Sequence, residues 1–205
     1  MKFVLATQNP KKREEMAAIL SGLGVEVVTE EEIGAKVEVE ETGETFAQNA
    51  ALKAKAVTEA TGLPAIGDDS GLCVDALGGA PGVYSARYGG EGLDDAGRCR
   101  LLLENLRGLT DRRAHFETVI CCAFPNGEWL AAQGRCDGTV AFAPMGTNGF
   151  GYDPVFFVTE RKKTFAQLTA EEKSAISHRG NALRAFREKL SAYLNEHPEV
   201  AEKWN

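Results

Sequence analysis

Two acidic pairs could do chemistry: Glu40-Glu41 and Asp68-Asp69, each in a glycine-containing segment, beside Thr42-Gly43 and Ser70-Gly71. Carboxylate oxygens are hard donors that suit magnesium, which takes one or two protein carboxylates and completes its shell with substrate phosphates and water. A carboxylate fixed beside such an ion can also take a proton from an attacking water. Asp-Ser-Gly equally favours a tight turn, so the segment admits a metal site or plain turn chemistry. Successive residues of an extended segment point to opposite faces, so only one acid of each pair need face a site.

Three further segments carry polar or aromatic groups in suggestive order. Ala6-Thr7-Gln8-Asn9-Pro10-Lys11-Lys12 links an apolar run to a helix start. Free backbone N–H groups and the positive end of the helix dipole would receive an anion there. Lysines in the first turn oppose the dipole, and a bound phosphate would relieve that conflict. A capped surface helix with solvated lysines is the alternative, and the G-x-x-x-x-G-K-[ST] phosphate-loop pattern is absent. Gly149-Phe150-Gly151-Tyr152-Asp153-Pro154 places aromatics between glycines, which lets a ring approach a planar ligand or plug a core. In the segment 171–180, Lys173 could meet phosphate, and His178 and Arg179 could donate hydrogen bonds.

The elements that would position these groups follow from pattern. The run 2–6 predicts a buried strand, and Asn9 and Pro10 suit the N-cap and first position of a helix over 10–23 that stops at Gly24. A strand over 25–28 completes a strand–helix–strand opening typical of α/β proteins. Thr45-x-x-Gln48 is a capping box that opens a helix over 46–61 stopped by Gly62. Short strands are predicted at 64–69 and 72–77 around a turn at Asp68-Asp69-Ser70-Gly71. A glycine-rich loop follows over 78–92, then a helix over 94–107. Asn126-Gly127 is a hairpin signal between strands at 114–124 and 128–142. A second glycine-rich loop spans 146–153, Thr169-x-x-Glu172 is another capping box, and a last helix runs over 178–194, leaving a polar tail at 195–205.

Composition bounds the classes. With 205 residues, 43% hydrophobic and 26% charged, the chain suits one globular α/β domain in two lobes. No apolar run approaches the ~20 residues of a membrane helix, and residues 2–6 read as a strand, so a cytoplasmic location is expected. The net charge of −7 argues against nucleic acid as a partner. Five cysteines without a C-x-x-C pair argue against zinc or a disulfide framework, and Cys121-Cys122 read as core residues.

Taken in order, these segments resemble the inosine triphosphate pyrophosphatase family, also called XTP/dITP pyrophosphatases. The resemblance extends to about Leu190. It rests on Leu5 to Lys12, Glu40 to Phe46, Asn49 to Ala54, Asp68 to Leu72, Gly79 to Arg87, Gly149 to Phe156 and Glu172 to Gly180. It implies a long mixed sheet with flanking helices forming two α/β lobes around a substrate cleft, and a homodimer. It implies cleavage of ITP, dITP and XTP to monophosphate and pyrophosphate with Mg2+. Thr7, Gln8, Asn9, Pro10, Lys11 and Lys12 match the triphosphate loop, and Glu41 and Asp69 the magnesium carboxylates. Asp69 matches the catalytic base, with Lys12 and Asp68 completing the catalytic group. Ser70, Phe150, Gly151, Tyr152, Asp153, Lys173, His178 and Arg179 match substrate contacts, with 150–153 the base-stacking loop. A Maf-like pyrimidine nucleotide pyrophosphatase and a nucleotide sensor of the same fold are the competing readings. The retained acids count against the sensor, and the 150–153 and 178–179 segments favour purines. From sequence alone, attack at the α- or the γ-phosphorus stays open.

Overall fold

A computed structural model of the chain describes residues 1–7, 9–20, 23, 25–90 and 92–198, without the side chains of Lys11 and Ile19. Strand β1 (Lys2–Ala6) is buried along four of its five residues, as a strand inside a parallel sheet must be. It pairs in parallel with β2 (Glu26–Thr29) on one side and β3 (Ala65–Val74) on the other. Helices α1 (Pro10–Leu20) and α2 (Phe46–Thr61) lie between these strands in the chain. Then follow α3 (Asp95–Asn105), β4 (Arg113–Ala123), β5 (Trp129–Val140), β6 (Phe156–Val158), β7 (Lys163–Thr164), α4 (Ala170–Ile176) and α5 (His178–Glu196). The seven strands form one mixed sheet in the order β2-β1-β3-β4-β5-β6-β7, antiparallel at β5-β6-β7. The α/β class with a long mixed sheet is thus the expected one.

The chain divides into two compact units. The first comprises Met1–Asp69, Thr118–Gly134 and the chain from Gly180 onward. Its main core joins Phe3 and Leu5 of β1, Met16 and Leu20 of α1, and Leu183, Phe186 and Leu190 of α5, at helical spacing. The second comprises Ser70–Glu117 and Arg135–Arg179. Its core gathers Leu72, Leu102, Phe116, Phe156 and Phe165.

One predicted element differs. The two short strands at 64–77 are one continuous strand, β3, and Asp68-Asp69-Ser70-Gly71 lies inside it rather than in a turn. Turn propensity is local, whereas this segment is buried, with Asp68 at 1% and Leu72 at 0% exposure, and ladder pairing wins over the turn. Helix α1 is described over Pro10–Leu20, and residues 21, 22 and 24 at its expected end lie outside the described residues. Four of the cysteines are buried free thiols and Cys73 is half-buried. Among the described residues no helix is long and apolar enough to cross a membrane.

Candidate active site

In the first unit, adjacent acids of β3 take different partners, as the alternation of a strand requires. Asp68 Oδ2 lies 2.7 Å from Lys12 Nζ, and the aspartate is almost wholly buried. A first-turn lysine that opposes the dipole of α1 is thereby balanced by a carboxylate. Asp69 Oδ2 accepts a hydrogen bond from Asn49 Nδ2 at 3.1 Å, and Asp69 Oδ1 stands 3.7 Å from Lys53 Nζ. The same ammonium donates to Glu41 Oε1 at 2.9 Å. Thr118 Oγ1 donates to the Asp69 carbonyl at 3.0 Å and fixes the backbone behind the carboxylate. Asn49 and Lys53 are four residues apart on α2 and so share one face. Burial, the largest influence, pushes the Asp69 carboxyl above the ordinary range. Lys53, the Asn49 hydrogen bond and Lys12 oppose it, and Glu41 adds to it. A carboxylate raised in this way is a better proton acceptor.

The loop ahead of α1 is held by its own side chains. Thr7 Oγ1 accepts from the Asn9 N–H at 3.3 Å, and Asn9 Oδ1 from the Lys12 N–H at 3.4 Å, beside the exposed Pro10. Gln8 and the Lys11 side chain lie outside the described residues.

In the second unit, Lys173 Nζ lies 2.6 Å from Asp153 Oδ2, with both side chains nearly buried. Asp153 Oδ2 also accepts the Phe150 N–H at 2.9 Å. Gly149, at φ 77°, is required there, because a Cβ would stand 1.9 Å from that oxygen. Burial raises the Asp153 carboxyl, against the pull of Lys173, the Phe150 N–H and Arg179. The half-buried Phe150 ring has Lys173 Nζ at 4.9 Å and the Arg179 guanidinium at 5.6 Å from its centroid. Arg179 Nη2 donates to Ser70 Oγ at 3.3 Å. The His178 ring stacks on Phe116 at 4.6 Å and 11°. Ser70, Phe150, Asp153, Lys173, His178 and Arg179 therefore come together within this unit.

Two residues of the 150–153 loop have other duties. Tyr152 is a core residue at 4% exposure, with its hydroxyl donating to the Ser85 carbonyl at 2.8 Å, so its ring packs the protein rather than presenting a stacking face. The Gly151 N–H donates to Asp95 Oδ2 at 2.7 Å. Conversely, Asn49 and Lys53 carry no role in the sequence reading beyond their place in a motif. Their signal was the four-residue spacing of two polar groups inside the helix predicted over 46–61.

Comparison with known proteins bears on the whole chain. The model of the Ham1 family matches residues 3–189. A dITP/XTP pyrophosphatase of Desulforamulus reducens is 50% identical over 98% of this chain and 100% of its own length. That of Thermus thermophilus is 50% identical over 97% and 94%. The Ham1 protein of Staphylococcus aureus superimposes with a TM-score of 0.88 at 41% identity, over 94% of this chain and all of its own. A Ham1 protein from Coxiella burnetii does so with 0.86 at 44% identity, over 96% and 99%. The family match over residues 3–189 and likeness over nearly the whole length lead to one assignment: the chain belongs to the Ham1 family.

Proposed function

We propose that this chain hydrolyses non-standard purine nucleoside triphosphates, ITP, dITP and XTP, to the monophosphate and pyrophosphate, using Glu41 and Asp69 as its magnesium carboxylates. Its curated relatives are named dITP/XTP pyrophosphatases over matching lengths.

The observation that carries the metal assignment is the Lys53 ammonium between Glu41 and Asp69, at 2.9 and 3.7 Å. A cation already occupies the space that the two acids share. Among the described residues no cluster of three or more His, Cys, Asp or Glu occurs. Two carboxylates completed by substrate phosphates and water are the usual magnesium arrangement, so the residues fit the ion. When bound, magnesium would neutralise phosphate charge and polarise the phosphorus under attack.

The chain's own groups supply the rest. Asp69, raised by burial, takes the proton of the water that attacks the α-phosphorus, and pyrophosphate leaves. Lys12 meets the triphosphate at the start of α1, exchanging part of its contact with Asp68 for phosphate. In the second unit, Phe150 offers aromatic surface to the base, and Lys173 adds positive charge beside it. Arg179 can only donate, and His178 donates from at least one nitrogen. The 6-keto oxygen of inosine or xanthine satisfies such donors, whereas the 6-amino group of adenine opposes them. A homodimer, which the family resemblance implies, belongs to this proposal, as does a cytoplasmic location.

The test is a panel of ITP, dITP, XTP and ATP with and without magnesium, scored separately for pyrophosphate and orthophosphate. Pyrophosphate from the first three, only with magnesium, is expected. Orthophosphate with a diphosphate would place the cleavage elsewhere.

A further inference from the structure

We infer that Asn49 is a positioning residue that fixes the separation of Glu41 and Asp69, an inference that rests on the reading of those two acids given above. Asn49 lies on α2 with no exposed surface, so it has no face with which to touch a nucleotide. Its amide makes two bonds in opposite directions. Oδ1 accepts the Gly43 N–H at 2.8 Å, and Nδ2 donates to Asp69 Oδ2 at 3.1 Å.

The amide cannot be turned over. The Gly43 N–H only donates and an ionised carboxylate only accepts, so a flipped amide would oppose both partners. Gly43 follows Glu41 by two residues. One short side chain, 20 residues from Asp69 in sequence, therefore ties the backbone that carries Glu41 to the Asp69 carboxylate. Lys53 also joins the two acids, but as a point charge on a flexible four-carbon stem it supplies attraction without fixing direction. The Asn49 amide supplies direction.

Gly43 fits this role by its lack of a side chain. A Cβ there would stand 2.6 Å from Asn49 Oδ1 and 2.7 Å from Gln48 Cβ. The segment behind Glu41 is thus pressed against the first turn of α2, where Asn49 receives it. The backbone of Gly43 is not among the positive-φ glycines, so alanine is excluded by contact and not by conformation.

Two variants test the inference through turnover of ITP by the full chain with magnesium and through Mg2+ binding without nucleotide. Both are expected to weaken that binding by roughly tenfold or more, and an unchanged affinity would overturn the inference. Asn49→Leu removes both bonds and keeps the branched outline of the side chain, with a larger volume. Gly43→Ala leaves Asn49 in place but displaces its amide. Both are expected to lower kcat by roughly ten- to a hundredfold, the scale of a misplacement of about 1 Å, while KM for ITP changes less than about threefold. The double variant is expected to be no worse than Asn49→Leu alone, because both changes break one linkage. Wild-type release of pyrophosphate from ITP, measured alongside, reports on the activity by itself. With wild type active, a folded Asn49→Leu protein with unchanged kcat overturns the inference, as does a rise in KM at constant kcat. If Asn49→Leu fails to fold, Gly43→Ala decides by the same criteria.

Discussion

Lys173→Met removes the ammonium that lies 2.6 Å from Asp153 Oδ2 and leaves a carboxyl with 3% residue exposure facing its cost of burial. Removing one partner of a buried ion pair costs about 3–5 kcal/mol. The low end applies here, because the Phe150 N–H still donates to Asp153 and the Arg179 charge still acts on it. For a chain of this length about 3 kcal/mol corresponds to a fall in Tm of roughly 6–12 °C. The pH dependence has a definite sign. Burial already holds the Asp153 carboxyl above its ordinary value, and loss of Lys173 raises it further. A carboxyl whose folded pKa exceeds its unfolded value destabilises the fold only when ionised. The deficit is therefore full above the raised pKa and fades as pH falls toward the unfolded value of about 3.9. Adding Asp153→Asn, which leaves a neutral acceptor for Phe150, should recover most of the loss near neutral pH. Circular-dichroism melts near pH 7.5 and near pH 5 give the comparison. A Lys173→Met protein that melts within about 2 °C of wild type near neutrality, or whose deficit is the same at both pH values, refutes this reasoning.

Arg179→Ala should narrow the gap in kcat/KM between ITP and ATP, mainly by losing ITP activity, since sites built on such hydrogen bonds discriminate by up to ~10⁴–10⁵-fold. An unchanged ratio would move base recognition to His178 or Phe150. Burial pushes the thiols of Cys99, Cys121 and Cys136 up to about 11, so near neutral pH their thiolate fraction falls ~100-fold below that of an exposed cysteine. Thiol titration of the native protein should be slow for these three and fast after denaturation, and alkylation without unfolding should leave turnover intact.

Much of this arrangement was legible because it is encoded locally. Thr45 with Gln48 and Thr169 with Glu172 both form the expected capping boxes. Asn126-Gly127 closes the β4–β5 hairpin through the Gly127 N–H to the Phe124 carbonyl. Cys121 and Cys122 are core residues. What was not legible depends on distant partners. Asp68-Asp69-Ser70-Gly71 has turn chemistry in isolation and becomes strand because its neighbours bury it. In sequence Tyr152 could approach a planar ligand or plug a core, and only the fold brings its hydroxyl to the Ser85 carbonyl, 67 residues away. Asn49 and Lys53 look like ordinary polar helix residues, and only the fold brings Asp69 and Glu41 to their face.

The mechanism turns on which phosphorus the water attacks. Hydrolysis of ITP in 18O-labelled water with magnesium, followed by mass spectrometry of both products, locates the new bond. With Asp69 delivering water to the α-phosphorus, the label is expected in the inosine monophosphate and not in the pyrophosphate. Label in the pyrophosphate would place the attack on the β-phosphorus and contradict the assignment of Asp69 as the base for α-attack.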